Sequence, residues 1–194
     1  EYEYYILYVT LRNKGFWAVA LENLDEEQKE RYTATLSLKG NKPYLFGSDI
    51  YANESAGEDY DIPGEALADP DFAALIAEAE KYLGFPYVWG GSSPSTSFDC
   101  SGFVCYVYTH SGVHNLPRTT AQGIYNQCAH IPMSEAKPGD IIFFTGTYNS
   151  PGPVSHVGIY VGNNMMIHCG SPIQYARTDS SYWSQHFYAI GRLN

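Results

Sequence analysis

Cysteine is scarce, cationic side chains are outnumbered, and no apolar run is long enough to cross a membrane. The four cysteines, Cys100, Cys105, Cys128 and Cys169, are too few for a disulfide scaffold, and 194 residues can fold without such staples. No CxxC pair occurs, which argues against a structural zinc site. Lysine and arginine number 11 against 21 aspartates and glutamates, for a net charge of −10 and a pI of about 4.9. Nucleic acid and anionic membrane would be repelled by such a surface, so neither is expected as a partner. No internal repeat is visible. The chain begins at Glu1 with neither a methionine nor a signal peptide. It is expected to be a piece of a longer protein, so its terminus does not report localisation.

What is present suffices for a real core: 44% hydrophobic residues, 15% aromatics and 18 tyrosines. The length suits one good domain with an appendage, or two small ones. Residues 4–11 (YYILYVTL) read as a strand. Residues 16–24 suggest a short helix, and Asp25 with Gln28 resembles a capping box for a second helix over 26–38. Residues 1–46 are thus expected to form a small strand–helix–helix accessory segment without a catalytic constellation. Over 47–68, acids interleaved with glycine and serine predict a solvated linker. A calcium loop would need a regular alternate spacing that these acids lack.

Residues 69–194 are expected to form the main domain. Asp69-Pro70 starts a helix whose apolar stripe is Phe72, Leu75, Ile76, Ala79 and Leu83, and Gly84 ends it. After GFPYVWGG (84–91) comes SFDCSGFVCYVY (97–108). There Asp99 can cap a helix whose first residue is Cys100. First-turn amides and the helix dipole would then stabilise a Cys100 thiolate. The plainer alternative is a buried structural cysteine. LPRTTAQ (116–122) opens another short helix reaching Gln127, and Lys137-Pro138-Gly139-Asp140 marks a turn. IIFFTG, SHVGIYVG and MMIHCG then read as consecutive strands, with two more over 174–178 and 187–192. Helices followed by a strand meander predict an α+β fold, helices packed on an antiparallel sheet.

Six histidines are available. His110, His114, His130 and His186 fall at expected helix ends or turns and read as solvated or packing residues. His156 and His168 lie within neighbouring strands joined by a short turn, so they can share one face. His156, Gly158 and Tyr160 would line that face, and Val157, Ile159 and Val161 the other. A Cys100 helix packed over the histidine face would assemble a thiol, an imidazole and a second imidazole. That is the nucleophile, base and orienter of acyl-transfer enzymes. Two half-buried structural histidines are the alternative.

In this order, PYVWGG, FDCSGFV, LPRTT, KPGD-IIFF, SHVGIYVG and MIHCG resemble the NlpC family of papain-like cysteine peptidases that cut bacterial peptidoglycan. The resemblance covers residues 69–194. It implies Cys100 as nucleophile, His156 as general base and His168 as the residue orienting His156. It implies hydrolysis of the γ-D-glutamyl bond to the diamino acid of stem peptides, with Tyr87, Asp99 and Ser101 holding the substrate's amino-terminal side. No metal or other cofactor is implied, and localisation would be extracellular or at the cell wall. Cys169 departs from the small residue usual at its position and is expected to pack away from the site. The N-terminal part resembles an accessory segment of conjugative mobile-element proteins rather than an SH3-like wall-binding domain. On that view the chain's partners include other parts of a longer cell-surface or conjugation protein. The alternatives are an amidase or acyltransferase with the same triad, a non-catalytic wall-binding or assembly module on the same fold, and a zinc protein using Cys100, His156, His168 and Cys169.

Overall fold

Residues 60–193 are described in a computed structural model of the chain. The strand and helices expected within 4–38 lie outside the described residues, as does the acidic stretch up to 59. From Tyr60 onward the chain lies on the main domain. The Tyr60 ring packs against Tyr175 at 5.4 Å, and Ile62 and Ala66 pack against the core. Those apolar residues stand too far apart among the acids of the expected linker to show a periodicity.

Helix α1, Pro70–Glu80, begins where the sequence predicts. The Asp69 carboxylate accepts from the N–H groups of Asp71 (3.0 Å) and Phe72 (3.3 Å), with Pro70 at the first helical position. Phe72, Leu75, Ile76 and Ala79 are buried. Ser92–Ser93 (β1) and Ser97–Phe98 (β2) pair as a short ribbon leading into α2, Cys100–His110, which Asp99 caps as expected. Phe103, Val104 and Val107 of α2 are wholly buried. Helix α3, Ala121–Tyr125, is shorter than the expected stretch. Thr120 is its cap, accepting the Gly123 N–H at 3.1 Å. Leu116 is held in the preceding loop, where its N–H donates to Thr109 Oγ1 at 3.0 Å.

Six strands form one antiparallel sheet: Ala129–Ile131 (β3), Ile141–Thr145 (β4), Val154–Gly162 (β5), Met165–Cys169 (β6), Ile173–Arg177 (β7) and Phe187–Arg192 (β8). Their order across the sheet is β3-β8-β4-β5-β6-β7. Strands β4, β5 and β6 are the expected meander. Asn163 and Asn164 turn β5 into β6 with positive φ of 51° and 57°, a conformation asparagine tolerates. The last strand crosses back to the free side of β4, pairing Ile190 with Ile142. Strand β3 was not foreseen, because three residues with Ala129 and His130 exposed are too few to show a period of two. Helix α4, Ser181–His186, was also missed.

The sheet has an apolar cluster on each face. Val157, Ile159, Val161 and Ile167 join α1 and α2 in the main core, whereas Ile142, Phe144, Met166, Ile190 and Trp183 form a second cluster. The two sets alternate along the strands, as opposite faces must. Close backbone packing seats α2. A Cβ on Gly102 would overlap the Gly91 carbonyl oxygen, and one on Gly91 would stand 2.6 Å from the Ser97 carbonyl oxygen. Both glycines are therefore required by the approach of the ribbon to the first turn of α2. Gly102→Ala should cost about 1–3 kcal/mol through overpacking. Chemical denaturation reads this as a lowered midpoint, and an unchanged midpoint would show that ribbon and helix can part freely.

Candidate active site

Cys100 opens α2 and is 5% exposed. The backbone N–H groups of Ser101 and Val157 donate toward its sulfur, so the thiol meets β5 at the residue that follows His156. Helix α2 itself covers the Val157 face of the sheet, not the histidine face as the sequence suggested. The reason is alternation. The large residues of β5 that fit a helix are Val157, Ile159 and Val161, and at the start of α2 the Cys100 sulfur meets Val157, next to His156.

His156 and His168 come together as expected, and both are buried. His156 Nε2 and His168 Nδ1 are 3.0 Å apart, sharing one hydrogen bond. Gly158 faces His168 across β5 and β6. A Cβ on Gly158 would lie 3.1 Å from His168 Cβ, and one on Gly170 would lie 2.8 Å from His168 Cε1. These two glycines leave the room that the His168 ring occupies. Trp183 of α4 covers the pair, stacking on His156 (5.1 Å, 29°) and meeting His168 at 5.1 Å and 78°. It excludes water from the imidazoles, and nothing in the local sequence pattern announced it. Cys169, next in β6, points to the opposite face, where its thiol donates to the Phe98 carbonyl oxygen at 3.2 Å. Among the described residues, no group of three or more His, Cys, Asp and Glu is placed to hold a metal ion.

Asp99 does more than cap α2. Its Oδ1 accepts from the Gly102 N–H (2.6 Å) and the Ser101 hydroxyl (3.0 Å). Its Oδ2 accepts from the Gly90 N–H (3.0 Å) and from Arg118 Nη2 (2.5 Å). Arg118 Nη1 also donates to Ser101 Oγ at 2.8 Å. Arg118 lies in the quoted LPRTT motif, yet sequence reasoning assigned it no role. Tyr87 is buried and bridges in parallel to Phe98, which places it beside the lead-in to Cys100. Of the other histidines, His110 stacks on Tyr106, His130 stacks on Tyr125, and His186 bonds the Thr145 carbonyl.

The sequence profile of the NlpC/P60 family matches residues 84–192, more than half of the chain. The chain belongs to the NlpC/P60 family. It is 45% identical over 123 residues to the bifunctional muramidase/DL-endopeptidase CwlT of Bacillus subtilis, covering 63% of this chain and 36% of that protein. It is 37% identical over 131 residues to the gamma-DL-glutamyl hydrolase of the same organism, covering 66% and 31%. A lipoprotein-like NLP/P60 protein of Staphylococcus aureus has a solved structure with 42% identity and a TM-score of 0.62, covering 74% of this chain and 45% of that one. The chain spans about a third of the length of the two Bacillus subtilis relatives.

Electrostatics in this NlpC/P60 site correct one expectation. The first-turn amides were expected to hold Cys100 as thiolate. Burial, followed by the adjacent Asp99 carboxylate, instead pushes the thiol up to about 12, and the Ser101 and Val157 amides and Arg118 offset only part of this. Burial, followed by His168, holds His156 well below the usual imidazole range. Both shifts run toward the uncharged forms, thiol and imidazole. Iodoacetamide labelling of Cys100 should therefore keep accelerating from about pH 7 to about pH 10. The measurement belongs in a Cys128→Ser background, because Cys128 is the cysteine left partly exposed. A plateau already reached near neutrality would instead reveal a thiolate–imidazolium pair.

Proposed function

We propose that this chain is a cysteine endopeptidase of bacterial peptidoglycan, cutting the γ-D-glutamyl bond to the diamino acid of stem peptides at the cell wall. The observation that carries it is the buried His156–His168 hydrogen bond beside the strand residue that the Cys100 thiol contacts. The names of the relatives, a DL-endopeptidase and a gamma-DL-glutamyl hydrolase, supply the bond. In this reading Cys100 Sγ attacks the γ-carbonyl carbon as His156 takes the thiol proton. With Nε2 engaged by His168, that proton goes to Nδ1, and His168 holds the ring and stabilises the imidazolium. The oxyanion is met by the Cys100 N–H, in a helix turn with no intrahelical acceptor, and by the Tyr87 hydroxyl. His156 then protonates the departing amine, and water hydrolyses the thioester.

The raised thiol and the lowered imidazole suit a proton transfer that begins from neutral groups. Residues 69–194 are proposed as the catalytic unit, and residues 1–46 as an accessory segment that places it within a longer protein. An amidase or acyltransferase would use the same three residues on another acyl bond, and product masses from defined muropeptides separate them. A non-catalytic module would have no use for a buried imidazole pair beside a thiol.

Cys100→Ala should abolish release of the diamino acid product in a mass-spectrometric digest while the fold persists. His156→Ala should lower kcat by roughly 10⁴-fold, and His168→Ala by roughly 10²-fold with activity still measurable. Wild-type turnover in Cys100→Ala would remove the nucleophile assignment. Equal and complete loss in both histidine variants would show the two roles to be misassigned.

A further inference from the structure

Cys100 is 5% exposed and His156 1%, so the thiol and the imidazole meet little solvent in this structure. A peptide carbonyl that is to be attacked must sit in van der Waals contact with the sulfur, which calls for more room than that. The loop between β4 and β5 approaches this corner. Tyr148 in that loop is half-buried, and its ring meets the Trp89 ring edge to face at 5.3 Å and 84°. Trp89 precedes Gly90, whose N–H donates to Asp99 Oδ2, and Asp99 precedes Cys100. Burial, followed by the charges of Cys100 and Asp99, pushes the Tyr148 phenol up, so this ring stands within electrostatic range of both. Tyr148 thus reaches from one strip of chain to another, beside the thiol.

The loop is bonded at its feet and lightly held at its tip. The Thr147 N–H donates to Ser155 Oγ at 2.9 Å, and the Val154 N–H donates to Gln122 Oε1 at 3.1 Å. Between these feet Asn149, Pro151 and Pro153 are exposed, and the Ser150 hydroxyl donates to the Gly152 carbonyl oxygen at 2.5 Å. The contact with Trp89 is slight by comparison. It is edge-on and leaves Trp89 62% exposed, so parting the two rings gives up little buried area. Fixed feet with a lightly held tip suit a lid, whose motion is absorbed by a few loop residues while its surroundings stay in place.

We propose that Tyr148 is a latch: resting on Trp89 it closes the way to Cys100, and it swings off Trp89 to let substrate in. The consequence for turnover rests on the endopeptidase reading above, whereas the closure itself concerns only access to the thiol.

Two maleimides of different bulk test it, N-methylmaleimide and N-(1-pyrenyl)maleimide, in the Cys128→Ser background with the labelled residue confirmed by mass spectrometry. The ratio of their rate constants cancels the thiolate fraction and reports access alone. With the open form at about a tenth of the population, the pyrenyl-to-methyl ratio at Cys100 should lie about 10-fold below that of glutathione. Tyr148→Ala and Trp89→Ala should each raise it toward the glutathione value, whereas Tyr148→Phe keeps the ring and the low ratio. The double alanine variant should go no further than either single one, because both remove the same contact. A ratio equal to that of glutathione in the intact loop overturns the latch. So does a low ratio that either alanine variant leaves unmoved, or effects that add in the double variant. In cleavage of a stem peptide, Tyr148→Ala should lower KM several-fold with kcat unchanged. A raised KM would make Tyr148 a substrate contact and overturn the latch. Cleavage with labelling indifferent to reagent size sinks the latch alone, and size-dependent labelling relieved by Tyr148→Ala without any cleavage sinks the endopeptidase reading alone.

Discussion

One carboxylate ties together three separate stretches of the chain. Asp99 caps α2, takes the Gly90 N–H of the preceding loop and pairs with Arg118 from the loop before α3. Its side chain is nearly buried, so the Arg118 guanidinium is what makes a charge tolerable there. The orientation of Cys100 follows, because the residue that caps a helix sets the direction in which the first helical side chain leaves it. The overlap that forbids side chains at Gly91 and Gly102 locks the same junction sterically.

The same carboxylate shapes the chemistry. It stands beside the thiol and raises its pKa, opposing the backbone amides that a helix start supplies. For the proposed nucleophile and base, the raised thiol is matched by an imidazole that burial, followed by His168, holds well below its usual range. The two shifts are complementary, since a neutral thiol and a neutral imidazole avoid placing an isolated charge in the interior. Trp183 completes the arrangement by keeping water off the imidazoles.

The sheet separates two tasks by its faces. One face accepts α2 and holds the bulk of the core, whereas the other holds the histidines under α4. The link between them is local, at the start of β5, where a register shift between Phe144 and Thr145 interrupts the regular pairing with β4. The proposed site thus sits where the ladder is irregular, and the apolar residues further along β5 supply core packing that such a position lacks.

Much of this was legible without coordinates, wherever the determinant is local. Asp69-Pro70 and Asp99-Cys100 specify helix starts because capping involves only neighbouring residues. SHVGIYVG and MMIHCG, joined by a tight turn, specify a hairpin, and a hairpin suffices to bring His156 and His168 to one face. The tertiary structure alone decided that α2 covers the opposite face, because which side of a sheet receives a helix depends on the summed packing of every strand. It alone brought Arg118 to Asp99 and Trp183 to the histidines, contacts between residues far apart in sequence that no periodicity encodes. It also set burial against the helix start at Cys100, since the helix start acts along the chain whereas burial, which raises the thiol pKa, depends on everything folded around it.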